Sequence, residues 1–136
     1  MNVDRTIVNP PEWKKPIGYS NGVLTTGGKT LYLAGQVAFD ADAHVVGKDD
    51  LVAQFRQVLT NMRAVCHAGG AKLEDIVRMT IFVQNRDEYR AKAKELGQVY
   101  REFFGKHFPA MTLVEIARFF EDDVLIEIES VAVVGA

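Results

Sequence analysis

The amino-acid sequence predicts one α+β domain over residues 1–136, in which a mixed β-sheet carries two helices on one face. Two segments repeat apolar residues every three or four positions, as amphipathic helices do, and the segments around them have the alternating or apolar character of strands. A chain of 136 residues and 15.1 kDa has the size of a single domain with one hydrophobic core.

The first thirty-four residues are rich in turn dipeptides and predict short strands. We expect strands at residues 5–8, 22–25 and 30–34. The pair Gly27 and Gly28 separates the second strand from the third, and this spacing predicts a β-hairpin between them.

Each of the two helices has its own start and stop signals. The first begins at Leu51 after a capping aspartate, Asp49 or Asp50, and ends at Gly69-Gly70. The second begins after Asn85, the first residue of a capping-box pattern, and runs as one helix to Gly105.

Three further strands are predicted, at residues 75–84, 110–118 and 124–133. If both helices cover the same face of the sheet, the opposite face has no cover within the chain. We expect that face to carry Ile76, Phe82 and Leu113, and a contiguous apolar patch of this kind favours self-association.

Composition limits the classes of function. Sixteen basic and eighteen acidic residues give a formal net charge of -2, so a nucleic-acid partner is not expected. The single cysteine, Cys66, cannot form an internal disulfide, and no secretion signal or membrane span is recognisable, which predicts a cytoplasmic protein. The three histidines show no ligand spacing and are predicted to lie at the surface, so no metal site is expected.

Candidate chemistry is concentrated near the last strand. Glu127 and Glu129 are two residues apart and therefore share a face of that strand, where they could position a water molecule or simply form a solvated edge. Gly35, at the end of an earlier strand, either admits a ligand close to the backbone or marks a bulge.

Six segments, taken in order, resemble the Rid (YjgF) family across residues 5–133. They are IGYSNGV at residues 17–23, LAGQV at 33–37, QVLTNM at 57–62, IVRMTIFV at 76–83, PAMTLVE at 109–115 and IEIE at 126–129. The resemblance implies a chorismate-mutase-like fold and a homotrimer with small-molecule clefts between its subunits. It also implies hydrolysis of reactive enamines and imines to a keto acid and ammonia, without a metal or an organic cofactor.

The resemblance further implies roles for individual residues. Glu127 aligns with the glutamate that positions the attacking water, and substrate-binding positions are expected in the same cleft. These positions are Tyr19, Ala34, Gly35, Gly97, Tyr100, Met111 and Leu113.

Three of these positions depart from the deaminase pattern. Met111 stands where deaminases have an arginine that holds the substrate carboxylate, Ala34 replaces a serine or threonine, and Gly97 replaces an asparagine. A thioether neither donates a hydrogen bond nor carries charge, so the carboxylate anchor is missing. Arg118 is seven residues beyond Met111 and would face the other side of a regular strand.

Three functions remain open on the sequence alone. The first is a hydrolase of an unusual C=N substrate, and the second is a non-catalytic trimer that binds or senses a small metabolite. The third is a ribonuclease or translation inhibitor, which the charge balance disfavours.

Overall fold

A computed structural model describes residues 3–135 and contains two sheets and three α-helices. The elements, in chain order, are β1 (Asp4–Val8), β2 (Gly22–Thr26), β3 (Lys29–Gln36), α1 (Leu51–Ala68), a 3₁₀ turn (Leu73–Asp75), β4 (Ile76–Val83), α2 (Arg86–Ala91), α3 (Ala93–Phe104), β5 (Ala110–Glu115) and β6 (Ile126–Val134). The predicted α+β class, with a mixed sheet and helices on one face, is confirmed.

The main sheet has four strands in the order β3-β6-β4-β5. Only the β4–β5 pair is parallel, and the other two pairs are antiparallel. α1 and α3 pack together on one face of this sheet. We call the opposite face the outer face.

The predicted hairpin between β2 and β3 is wrong. β2 pairs with β1 in a separate two-stranded sheet, and β3 pairs with β6. Gly27 and Gly28 both have positive φ, and a Cβ on Gly28 would lie 2.5 Å from the carbonyl oxygen of Val134. The glycine pair therefore turns the chain against the end of β6, where β3 continues into the main sheet.

The first helix has the expected ends. The Asp50 side chain accepts a hydrogen bond from the backbone N–H of Ala53, and the N–H of Gly69 closes the last turn. The single second helix is corrected to two, α2 and α3, because Lys92 has φ -101° and ψ 18° and interrupts the regular geometry. Asn85 caps α2 as predicted, accepting from the N–H of Glu88 at 3.0 Å.

The predicted apolar outer face is largely corrected. A register irregularity between Ile76 and Arg78 places Ile76 in the core, fully buried. Leu113 pairs with Ile81 and packs against the core under the helices. Of the three residues, Phe82 lies on the outer face, opposite Glu127 in β6.

Two polar side chains of α1, one buried and one half-buried, tie two loops to the core. The fully buried Gln54 amide donates to the carbonyl of Asp123 at 2.8 Å and accepts from the N–H of Leu125. Asn61 donates to the carbonyls of Val37 and Phe39, in the segment that follows β3. The positions of both loops are therefore set by a rigid helix.

One predicted surface residue proves to be structural. The His107 ring is half-buried, and its Nε2 lies 2.6 Å from the carbonyl oxygen of Ile76. His44 and His67 are exposed, as expected. None of the helices within residues 3–135 combines the length and hydrophobicity needed to cross a bilayer.

Candidate functional site

A cavity of about 430 Å³ lies between α3 and the main sheet. Its walls include Phe55 and Leu59 of α1, Met79 and Ile81 of β4, and Met111 of β5. Met79 and Met111 are neighbours in the parallel β4–β5 register, so their side chains project from the same face of the sheet. We call this space the helix-side cavity, and its volume and apolar walls suit a small organic ligand.

The structure brings five of the predicted substrate-binding residues to this region. Gly97, Tyr100 and Met111 line the helix-side cavity itself. Tyr19 and Leu113 line an adjoining hollow of about 280 Å³ that also contains Met111. The placement of these residues together was expected from the resemblance, and their contact with a substrate stays a prediction.

Tyr100 forms part of the cavity wall. Its hydroxyl donates a 2.7 Å hydrogen bond to the carbonyl of His107, and its ring stacks on Phe104 and Phe108 with centroids 4.5 and 5.4 Å apart. Burial raises the pKa of Tyr100 well above its usual range, and the neighbouring Tyr89 adds to the effect. The phenol therefore stays protonated at neutral pH and holds the wall in place.

Tyr19 owes its position to the residue that follows it. Ser20 is buried, and its N–H and hydroxyl donate to the carbonyls of Pro109 and Phe108 at 3.1 and 2.5 Å. These bonds fix the segment beside the start of β5, while the Tyr19 side chain remains 42% exposed. Its ring is therefore held at the mouth of the hollow with room to meet a ligand.

The other predicted site residues lie around the outer face. The register of β6 against β4 pairs Glu127 with Phe82 and Glu129 with Thr80, so both carboxylates project from the face opposite the helices. We call Ala34, Gly35, Glu127 and Glu129 the outer-face group. The prediction that the two glutamates share a face of one strand is confirmed.

Gly35 and Glu127 are in close contact. A Cβ on Gly35 would lie 2.0 Å from Oε2 and 2.9 Å from Cδ of Glu127. The β3–β6 register shifts between Leu33 and Gln36, so the bulge interpretation of this glycine is correct. Only glycine leaves space for the Glu127 carboxylate in this position, and the approach of a ligand to Gly35 stays a prediction.

The Glu127 carboxyl has a raised pKa. Desolvation by burial is the main cause, and the negative charge of Glu129 is the second. Within residues 3–135, the Glu127 side chain has no hydrogen-bond or ion-pair partner. A half-buried carboxylate with a raised pKa and free oxygens is suited to accept a proton from water.

The two sets of residues project from opposite faces of one sheet. Met111 and Leu113 point toward the helices, and Glu127 points away from them. Side chains on opposite faces of a sheet cannot meet around one small molecule. A cleft containing both Met111 and Glu127 therefore requires two copies of the chain.

Sequence reasoning missed several residues of the helix-side cavity. Ile17, Tyr89, Arg101 and Phe108 also line it. Arg101 follows Gly97 by four residues on a predicted helix, and this spacing alone places the two side by side. Across residues 3–135, no cluster of three or more histidine, cysteine, aspartate or glutamate side chains could hold a metal ion.

Known proteins resemble this chain in sequence and in structure. A family model described as Endoribonuclease L-PSP matches residues 13–134. A RutC family protein of Pyrococcus horikoshii is 37% identical over 119 residues, which are 87% of this chain and 89% of the relative. A 2-iminobutanoate/2-iminopropanoate deaminase of Salmonella typhimurium is 38% identical over 109 residues, which are 78% of this chain and 80% of the relative.

A solved structure extends the comparison to the fold. The Rid-family protein YyfB of Yersinia pestis, described as being of unknown function, has a TM-score of 0.85 at 33% identity. The match covers 96% of this chain and 98% of that chain. The mixed sheet with its helices is thus the α+β fold of the YjgF/RidA structures. The chain belongs to the Rid (YjgF) family, as its sequence motifs predicted.

Proposed function

We propose that this protein hydrolyses the C=N bond of an imine, or of an enamine in its imine form, with Glu127 as the base toward water. The observation that carries the proposal is the Glu127 carboxylate, which is half-buried, has a raised pKa and is unpartnered within residues 3–135. Relatives named 2-iminobutanoate/2-iminopropanoate deaminase from Salmonella typhimurium and Dermatophagoides farinae support this class of reaction.

The proposed reaction uses one water molecule. Glu127 accepts a proton from the water as its oxygen bonds to the imine carbon, and the C=N π electrons move to nitrogen. The protonated Glu127 then returns the proton to that nitrogen. The Glu127 carboxylate next takes the hydroxyl proton of the resulting carbinolamine and delivers it to the nitrogen, so the C–N bond breaks as the C=O bond forms, and the products are a ketone or keto acid and ammonia.

The substrate cleft in this proposal lies between copies of the chain in a homotrimer. One subunit contributes its helix-side cavity and Tyr19, and a neighbour contributes its outer-face group. The opposite-face arrangement of Met111 and Glu127 supports this assembly, because one chain cannot bring them together. Light scattering is expected to give three times the 15.1 kDa chain mass.

The direct test measures ammonia released from freshly generated 2-imino acids. The panel contains 2-iminopropanoate, 2-iminobutanoate and the imine of phenylpyruvate. Because a general base contributes roughly 10²–10⁴-fold, Glu127→Gln should lower kcat by at least about 100-fold on the best substrate. Glu95→Gln removes an equal charge from the exposed surface of α3, outside both the helix-side cavity lining and the outer-face group, and is the matched control, expected to change kcat by less than about threefold.

The outcomes separate the proposal from its alternatives. Equal activity of the wild type and Glu127→Gln on every substrate would show that Glu127 is not the base. A wild type that releases no ammonia above the spontaneous rate would exclude imine hydrolysis for this panel. Thermal unfolding of each variant shows whether a lower rate of ammonia release is caused by unfolding of the protein.

The second candidate is a non-catalytic trimer that binds a small metabolite. The observation that favours it is Met111, which lines the helix-side cavity without a charge or a hydrogen-bond donor. In this case a metabolite bound by the protein would be recovered unchanged, with no ammonia formed. A ribonuclease is not proposed, because the formal charge is -2 and the outer-face group is acidic.

A further inference from the structure

The positively charged Arg101 lies at the edge of the helix-side cavity. It follows Gly97 by one helical turn on α3 and is exposed, and both residues line the cavity. Its Nη1 atom is 3.3 Å from the point that a Cβ on Gly97 would occupy. The guanidinium group therefore folds back over Gly97, along the edge of the cavity.

The Arg101 guanidinium has no ion-pair partner within residues 3–135. The adjacent carboxylate, Glu102, is held by Arg56 at 2.6 and 3.2 Å. Arg118, three residues beyond the end of β5, lies 3.8 Å from Asp122 and is outside the cavity. Arg101 is thus available for an anionic ligand.

The lining of the helix-side cavity is mostly apolar, with few ionisable side chains. Its other ionisable groups are the phenols of Tyr89 and Tyr100, whose pKa values are raised by burial. Among the residues of the described range 3–135 that line the cavity, Arg101 is therefore the one that is charged at neutral pH, and it stands at the edge of an apolar space. Such a site complements a molecule with a carboxylate at one end and a bulky apolar group at the other.

We infer that Arg101 holds the substrate carboxylate, in place of the charge missing at Met111, and that the substrate side chain is aromatic or branched aliphatic. This inference rests on the proposed function and names its substrate class: 2-imino acids with a large apolar side chain. The apolar group enters the helix-side cavity and contacts the Met111 thioether, a flexible and polarisable neighbour for a ring. A methyl side chain would leave most of the 430 Å³ empty.

Gly97 is the positioning residue in this arrangement. A Cβ at this position would lie 3.3 Å from the Arg101 guanidinium, which is tighter than nine in ten real Cβ contacts. Gly97→Ala should therefore displace the guanidinium without removing its charge. Gly97, which stands where some deaminases have an asparagine, is thus part of the relocated carboxylate anchor.

The test uses stable 2-oxo acids as probes, because they keep the carboxylate and side chain of the imine. Calorimetric titration compares phenylpyruvate, its methyl ester and pyruvate. For the wild type we expect phenylpyruvate to bind at least about tenfold more tightly than either of the others, which is roughly 1.4 kcal/mol. Arg101→Gln should reduce the preference for the acid over the ester to less than about twofold.

Three further variants complete the design. Arg101→Lys should keep part of the preference, because it keeps the charge but loses the two-pronged geometry. Lys94→Gln removes an equal charge from the same helix outside the cavity lining, and it should change affinity by less than about twofold. Gly97→Ala should weaken phenylpyruvate binding by about two- to fivefold.

The measurements can refute the inferred ligand class and the proposed hydrolysis independently of each other. Acid binding that depends on Arg101 without ammonia release would support the ligand class and overturn the hydrolase. Ammonia release with no preference for phenylpyruvate, or a preference that survives Arg101→Gln, would overturn the inference and leave the hydrolase standing. A wild type that binds none of the probes also overturns the inference.

Discussion

The contact between Gly35 and Glu127 offers a test in which activity and stability should separate. Gly35→Ala adds one carbon whose position is 2.0 Å from Oε2 of Glu127, where ordinary contact begins at 3.4 Å. The carboxylate must therefore retreat by about 1.4 Å. Because a misplacement of about 1 Å in a catalytic group can cost about 100-fold in rate, we expect kcat/KM to fall by on the order of 100-fold.

The same substitution should hardly affect folding. Gly35 does not have a positive φ, so alanine can adopt its backbone conformation, and the group that must move is a side chain. Lower conformational entropy of the unfolded chain contributes about 0.4–1 kcal/mol of stability, which offsets the displacement. We expect the Tm to change by less than about 4 °C.

The assay is ammonia release from the best substrate of the 2-imino acid panel, with thermal unfolding measured in parallel. Gly22→Ala is the matched control, since its Cβ would meet the Val8 side chain at an ordinary 3.5 Å and should leave the rate within about twofold. The double variant Gly35→Ala/Glu127→Gln should be no slower than Glu127→Gln. A fully active Gly35→Ala protein would refute the reasoning, because Glu127 would then not need its observed position.

Four other substitutions have definite expected outcomes. In an Arg101→Gln background, where the inferred carboxylate anchor has been removed, Met111→Arg supplies a charge-assisted hydrogen bond of about 1.5–3 kcal/mol. The kcat/KM for 2-iminopropanoate should then rise by about 10- to 150-fold relative to Arg101→Gln alone, and no gain in ammonia release would contradict this. Burial and Glu129 raise the pKa of Glu127 above 4.5, so the acid limb of the kcat/KM profile should lie above that pH and shift downward in Glu129→Gln. Ionisation of Glu127 is disfavoured in the folded state, so the free energy of unfolding should decline as pH rises through 4.5 toward the raised pKa. Chemical denaturation of Glu127→Gln at the same pH values should lack this decline. Phe82→Asp places a carboxylate opposite Glu127 on the outer face. Light scattering should then show dissociation of the proposed trimer, or thermal unfolding should show a loss of stability on the order of 3 kcal/mol. A trimer that stays intact would argue against the outer face as the interface.

Local signals in the sequence predicted much of the fold. The capping residue Asp50 and the glycines after α1 predicted that helix closely, because start and stop signals act within one turn. The β2–β3 hairpin failed because the choice of strand partner depends on packing against β6, which is almost 100 residues away in the chain. Ile76 was assigned to the wrong face because a strict period of two cannot anticipate a register irregularity.

The candidate site could be predicted only in part. The resemblance supplied the identities of Glu127, Tyr19 and Met111, and the structure then assigned them to opposite faces of the sheet. The contact of Gly35 with Glu127 could not be inferred, since it depends on the exact register across two strands. Arg101 was missed because an exposed arginine on a helix looks like ordinary surface until the cavity beside it is seen.

The opposite-face arrangement has a consequence for how this protein can diverge. Residues that line the helix-side cavity, such as Met111 and Gly97, share no strand face with Glu127. Substitutions that reshape the helix-side cavity can therefore accumulate without disturbing Glu127, the proposed base. In the proposed mechanism, a gene encoding this fold can therefore change its preferred substrate in small steps while keeping one chemical reaction.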